Sequence, residues 1–192
     1  MDDQLNSLLK KCQQGLFGAL ADSQHAWRLF TVANVDAEGL PQSRYVVLRD
    51  WLPDSCELTF FTDQRSSKIS DIALKPSISL SFFDPTAHLQ LVVQGEVTLH
   101  NQDSIAEKYW QASHWRSLKC YQMKESPGEI LPVPFMLKPE DLSEEDAYQF
   151  FTVATCRNLS WDVLLLKPEG NQRAIFGFDK EGVLTTGNWL AP

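Results

Sequence analysis

"RLFTVANVDAEGLPQSRYVVLRDW", residues 28–51, holds two apolar runs with a turn between them. Leu29 to Val35 alternates and is rich in β-formers, while Asp36 to Gly39 carries turn residues. Ser43 to Leu48 resumes the strand character, so the stretch reads as an antiparallel hairpin. The same short-linked pattern continues outward. "CELTFFT" (56–62) is a third strand, "SISLSFFD" (77–84) a fourth, and "HLQLVVQGEVTLH" (88–100) a long fifth. Gly95 inside the fifth marks a bulge or a bend at a barrel corner. "FFTVATC", "SWDVLLLK", "RAIFGFD" and "GVLTTGNWL" supply the remaining strands, for about eight in all.

Helices are few. Leu5, Leu8, Leu9, Cys12, Leu16, Ala19 and Leu20 share one face of a helix spanning most of residues 3–21. Gly15 and Gly18 weaken it, so docking must stabilise it. Lys68 to Leu74 is a short helix closed by Lys75 and Pro76, and residues 103–113 form another, capped by Asp103 or Ser104. Ser126 to Pro139 is a proline-rich loop, and "PEDLSEEDAYQF" (139–150) offers a short acidic helix. Hairpin links without βαβ alternation predict a mainly β chain with α elements, a closed or partly closed antiparallel barrel.

The chain has 192 residues, 43% of them hydrophobic, which suits one domain with a substantial core. We take residues 1–192 as that single domain, with an N-terminal helix at 1–22, a loop at 123–140 and C-terminal strands over 150–192 completing the barrel. A net charge of −8 argues against nucleic-acid binding, although a local pocket for one phosphate stays compatible with it. The apolar runs are too short to cross a bilayer, and the acidic start "MDDQLNSLLKK" is unlike a signal peptide. These features predict a soluble cytoplasmic protein without a membrane partner. Cys12, Cys56, Cys120 and Cys156 are dispersed, which predicts reduced, mostly packed thiols and no metal.

Two stretches carry candidate chemistry, and each has two readings. In "SRYVVLRD", Arg44 and Arg49 lie five residues apart and point to opposite strand faces unless a bulge intervenes. The plain alternative is a strand with charged ends. In "FFTDQRSSKISDI" (60–72), Arg65, Ser66, Ser67 and Lys68 gather where a strand passes into a helix. A helix N-terminus suits a phosphate, and the plain alternative is a serine N-cap. No nucleophile elbow, H-E-x-x-H, Walker loop or G-x-G-x-x-G is present, which favours chemistry carried by a bound cofactor.

Taken in order, these segments resemble the pyridoxamine 5′-phosphate oxidase family of FMN-binding split barrels. The family's Arg-x-Val-Leu-Leu-Lys corresponds to "RYVVLR" (44–49), and its Tyr-Thr strand end with Ser-Arg-Lys to Phe61-Thr62 and Ser66-Ser67-Lys68. A later Gln followed by Gly matches Gln90 and Gly95, "KYW" echoes a Lys-Tyr-Phe helix, and "WLAP" an Arg-Leu-x-Pro ending. The resemblance implies a split β-barrel of Greek-key type with flanking helices, binding FMN between the subunits of a homodimer. It implies that Arg44, Ser67, Lys68 and Arg65 hold the FMN phosphate. Val46, Val47, Leu48, Arg49, Thr62 and Gln90 would lie along the flavin, with Arg173 as the late arginine that approaches it.

The departures concern both halves of the site. Ser67 stands where the family has arginine, and the resemblance leaves Arg65 as its replacement. Arg49 stands for lysine, which keeps charge but not geometry. For a small-molecule substrate the resemblance implies Arg49, Tyr109 and Ser117, but Ser113 replaces the arginine that grips the vitamin phosphate. The expectation is therefore an FMN-dependent oxidoreductase with a preserved cofactor half and an eroded vitamin-phosphate half. Three alternatives remain: a true pyridoxamine 5′-phosphate oxidase using Arg116 or Lys119, a non-catalytic flavin or haem carrier, and a ligand-free structural barrel.

Overall fold

A computed structural model describes residues 2–134 and 142–192. Part of the expected loop at 126–139 and the start of the acidic stretch at 139–150 lie outside the described residues. The strands, all antiparallel, are β1 (Leu29–Val35), β2 (Pro41–Leu52), β3 (Glu57–Asp63), β4 (Ser77–Asp84), β5 (Leu89–Asn101), β6 (Phe151–Leu165), β7 (Gln172–Phe178) and β8 (Leu184–Leu190). Their order is β3-β2-β1-β4-β5-β6-β7-β8, and β3 also pairs with β6. That second pairing closes β1–β6 into a six-stranded barrel, from which β7 and β8 extend as a flap. The return of β4 to β1 rather than β3 is the Greek-key step.

Two expected strands are one. "FFTVATC" and "SWDVLLLK" merge into β6, whose first half pairs with β3 and whose second half pairs with β7. β5 runs beside both halves, with a register shift after Gln94. Gly95 makes that shift possible: a Cβ there would stand 2.5 Å from the Arg157 carbonyl oxygen and 2.5 Å from Cys156 Sγ. β2 is also longer than the expected Ser43–Leu48, because Pro41–Gln42 continue the ladder with β1 and Asp50–Leu52 the ladder with β3.

Helix α1 (Asp3–Ala21) docks by the face that its spacing foretells, burying Leu5, Leu8, Leu9, Cys12, Leu16 and Ala19 in the barrel's apolar cluster. Gly15 admits the Trp27 ring, which would lie 2.6 Å from a Cβ at that position. Inside the barrel Phe30 stacks on Phe82, with centroids 4.6 Å apart. A second cluster outside the β3–β6 wall joins Tyr121, Ala147, Phe151 and Val153 to Ala106 of α3 (Ser104–Ala112) and Leu118 of α4 (Trp115–Leu118). It also takes in α5 (Glu144–Tyr148), the described part of the acidic helix. Among the described residues, no helix is long and apolar enough to cross a membrane.

Substituting Gly95 by alanine should therefore force β5 away from β6. We expect a loss of about 1–3 kcal/mol in urea unfolding; an unchanged midpoint would mean that the strands do not meet this closely.

Candidate functional site

The end of β3 and the start of α2 (Ser67–Leu74) form the floor of a cavity of about 430 Å³. β2 forms one wall, and the segment after α4 forms the other. Arg44, Val46, Val47 and Arg49 enter it from β2, and Phe61, Thr62, Arg65 and Lys68 from the junction. The cavity takes residues from both faces of β2, since consecutive Arg44, Tyr45, Val46 and Val47 all line it. Leu48 pairs with Phe60 and Asp50 with Thr59, so Arg49 is an extra residue at a bulge, and its guanidinium reaches the cavity over the Phe61 ring. Leu48 itself is fully buried in the core and does not line the cavity.

The junction is not a plain serine cap. Ser66 precedes α2 but makes no side-chain cap bond. Instead Lys68 Nζ donates to Ser66 Oγ and to Thr62 Oγ1, both at 2.8 Å. The first turn of α2 thus keeps its N–H groups clear of a serine cap. Burial, and then the neighbouring Arg44, push the Lys68 pKa below its ordinary value. Arg44 is likewise lowered by burial, and its guanidinium donates to Asn34, whose amide donates in turn to Asp71 at 3.1 Å. Neither Arg44 nor Lys68 makes an ion pair among the described residues. Two half-buried like charges beside a helix N-terminus fit a phosphate, and the apolar wall of Val46, Val47, Tyr121 and Met123 fits a flat ring.

Arg65 lines the same cavity but its guanidinium is committed elsewhere. Nε and one terminal nitrogen grip the Asp63 carboxylate at 3.0 and 2.7 Å. The other terminal nitrogen donates to the carbonyls of Met123 at 2.7 Å and Lys124 at 3.3 Å. The group lies 3.9 Å from the Phe150 ring centroid. In this structure the Arg65 guanidinium ties the far wall to the junction.

Other expected residues lie apart. Ser66 and Ser67 flank the cavity at the helix start, while Gln90 and Arg173 are outside it. Those two share a cross-strand row: Phe83 opposes Gln90, Gln90 opposes Leu164, and Leu164 opposes Arg173. Arg173 is paired with Asp162 at 2.7 Å. Ser117 reaches the cavity. The Tyr109 hydroxyl is turned away, donating to Asp50 at 2.7 Å, and burial followed by that bond pushes its pKa up to about 12.

Met123, Glu125 and Tyr121 were not singled out by sequence reasoning, yet they complete the wall. One Glu125 carboxylate oxygen is buried with no hydrogen-bond partner among the described residues. No local pattern marks these residues, because long-range contacts place their segment: the Arg65 strut and the packing of Tyr121 on Phe151 and Trp110.

Comparison with known proteins agrees with this architecture. Residues 7–101 match the family described as "Pyridoxamine 5'-phosphate oxidase, FMN-binding domain". A pyridoxine/pyridoxamine 5'-phosphate oxidase of Anaeromyxobacter dehalogenans is 31% identical over 190 residues, covering 83% of this chain and 94% of that protein. The corresponding oxidase of Pseudomonas fluorescens is 37% identical over 67 residues, which spans only 30% of its own length. In three dimensions the chain is similar to a pyridoxamine 5'-phosphate oxidase-related, FMN binding protein of Nostoc punctiforme, with a TM-score of 0.76 at 20% identity and coverage of 95% and 96%. PhzG of Burkholderia lata shares the fold with a TM-score of 0.72 at 12% identity and coverage of 100% and 98%. The six-stranded barrel, its uncapped cationic junction and a relative matched over nearly its whole length agree: the chain belongs to the pyridoxamine 5′-phosphate oxidase family of FMN-binding split barrels.

Proposed function

We propose that this chain is an FMN-dependent oxidoreductase whose cofactor phosphate is held by Arg44, Lys68 and the N-terminus of α2. The observation that carries this reading is the pair of half-buried, unpaired cations at an uncapped helix start. Two like charges there raise each other's cost, and an anion would relieve it. Ser66 and Ser67 would add hydroxyl donors, and Val46, Val47 and Thr62 would lie along the ring. Arg65 acts one step removed, holding the 119–125 segment against the junction. Bound FMN supplies the two-electron chemistry, and the protein supplies orientation, electrostatics and exclusion of water.

The proposal includes a homodimer. Register places Leu29, Tyr45, Phe83, Gln90 and Arg173 on one outward face of the sheet. Tyr45 is 75% exposed and Phe83 50% exposed, an apolar cost that a second copy would remove. Gln90 and Arg173 would then reach the flavin of the facing subunit, which accounts for their distance from their own cavity.

Three outcomes test this. Lys68→Ala should weaken FMN by about 10- to 100-fold, the worth of a charge-assisted hydrogen bond, and leave riboflavin nearly unchanged. Equal losses for both ligands would contradict the phosphate assignment. Arg65→Ala should change FMN affinity far less but speed amide exchange across residues 119–127; the reverse pattern would make Arg65 a phosphate ligand. Phe83→Asp should shift the protein from dimer to monomer in sedimentation and release FMN, whereas a wild-type monomer that retains FMN would refute the shared site.

A further inference from the structure

The inward row of β1 runs Phe30, Val32 and Asn34, so an apolar row ends in a buried amide, 3% exposed. A polar group buried this deeply costs free energy unless it is bonded, and Asn34 is bonded on both sides. From α2 it meets Asp71, which with Ile72 is buried on that helix. From β2 it meets Arg44. Val32 opposes Arg44 and Asn34 opposes Gln42, which makes Asn34 and Arg44 diagonal neighbours on one face of the sheet. We propose that Asn34 and Asp71 are positioning residues for the phosphate arginine. The amide, aligned by the Asp71 carboxylate, holds Arg44 by one terminal nitrogen and leaves the rest of its guanidinium to an anion. The inference rests on the flavin reading above and goes beyond it, since neither residue lines the cavity.

The chemistry of the two ends fixes the amide between them. A guanidinium only donates hydrogen bonds, and an ionised carboxylate only accepts them. Asn34 therefore has one workable orientation, Oδ1 toward Arg44 and Nδ2 toward Asp71, and its bonds follow it. Turning the amide over would set donor against donor at Arg44 and acceptor against acceptor at Asp71. Arg44 Nη1 makes the bond to Asn34 and a longer one, 3.5 Å, to the Gln42 carbonyl. Its Nε and Nη2 have no protein partner among the described residues.

Arg65 shows what a carboxylate in direct contact does instead. Asp63 takes its Nε and Nη2, and the Met123 and Lys124 carbonyls take Nη1, so its donors are all engaged by protein. A carboxylate placed directly on Arg44 would close the same fork. The Asn34 spacer transmits the hold of Asp71 without closing it. Burial lowers the Arg44 pKa, and the Asp71 charge acts against that without touching the guanidinium. Lys68, three residues before Asp71 on α2, does not compete for the carboxylate, because its ammonium donates to Thr62 and Ser66.

The test titrates the full chain, stripped of flavin, with FMN and with riboflavin, under conditions where urea unfolding shows each variant folded. The ratio of the two affinities reads the phosphate alone. Coulomb's law by itself says that removing a nearby carboxylate tightens an anion. Positioning gives the opposite sign. Asp71→Ala should lower the FMN-to-riboflavin ratio about tenfold and leave riboflavin affinity near wild type. Asp71→Asn, which keeps an acceptor for the Asn34 amide without the charge, should recover most of the ratio. Asn34→Ala should lower it at least as far as Asp71→Ala, and the two together little further, since both act through one chain. If Asn34→Ala does not fold, the two Asp71 variants read the same chain. A ratio that rises in Asp71→Ala, equal ratios in Asp71→Ala and Asp71→Asn, or parallel losses of FMN and riboflavin overturn the inference. Failure of wild type to bind FMN is a separate result. It sinks the flavin reading, and the Arg44 Nε–H signal in NMR of the flavin-free protein then reads the chain directly: a signal distinct from free arginine in wild type should move to the free position in Asp71→Ala, and an unmoved signal overturns the inference.

Discussion

The β3–β6 ladder, which runs from Glu57 opposite Arg157 to Asp63 opposite Phe151, converts a curved sheet into a barrel and fixes everything at its mouth. β3 ends on that ladder at Asp63, which therefore cannot wander. Its carboxylate accepts from the Arg65 main-chain N–H at 2.8 Å and from the Arg65 guanidinium, so the turn into α2 is set by the strand before it. The same arginine draws Met123 and Lys124 across the opening. Loss of the ladder would remove the floor of the cavity and its far wall together.

Electrostatics explains why the site is built this way in an acidic protein. The net charge of −8 repels anions at a distance, so binding must come from close, partly desolvated cations. Arg44 and Lys68 are such cations at one cavity, and Arg28 and Arg49 at its neighbour. Desolvation costs free energy in the empty state and strengthens the attraction when an anion arrives. The two cavities adjoin and share Arg49, Phe61 and Ser117.

Much of the barrel was legible from local pattern because alternation and turn residues are local. The hairpin at 28–51, α1 and its buried face, and the bulge at Gly95 all follow from neighbours in sequence. The merger of 151–156 with 160–167 was not legible. "RNL" between them has no strand periodicity of its own and is kept extended by pairing with β5. The site divides in the same way. Arg44 and Lys68 fall within short motifs, whereas the direction of Arg65 depends on Asp63, Phe150 and a segment nearly 60 residues away.

The proposed role of the Lys68 and Arg44 cations is to receive the FMN phosphate. A crystal structure of the protein grown with FMN tests this most directly. The FMN phosphate oxygens should lie within hydrogen-bonding reach of Lys68 Nζ, the Arg44 guanidinium and the first-turn N–H groups of α2, with the ring against Val46 and Val47. A flavin whose phosphate lies elsewhere, with Arg44 and Lys68 still facing only protein and water, would contradict it.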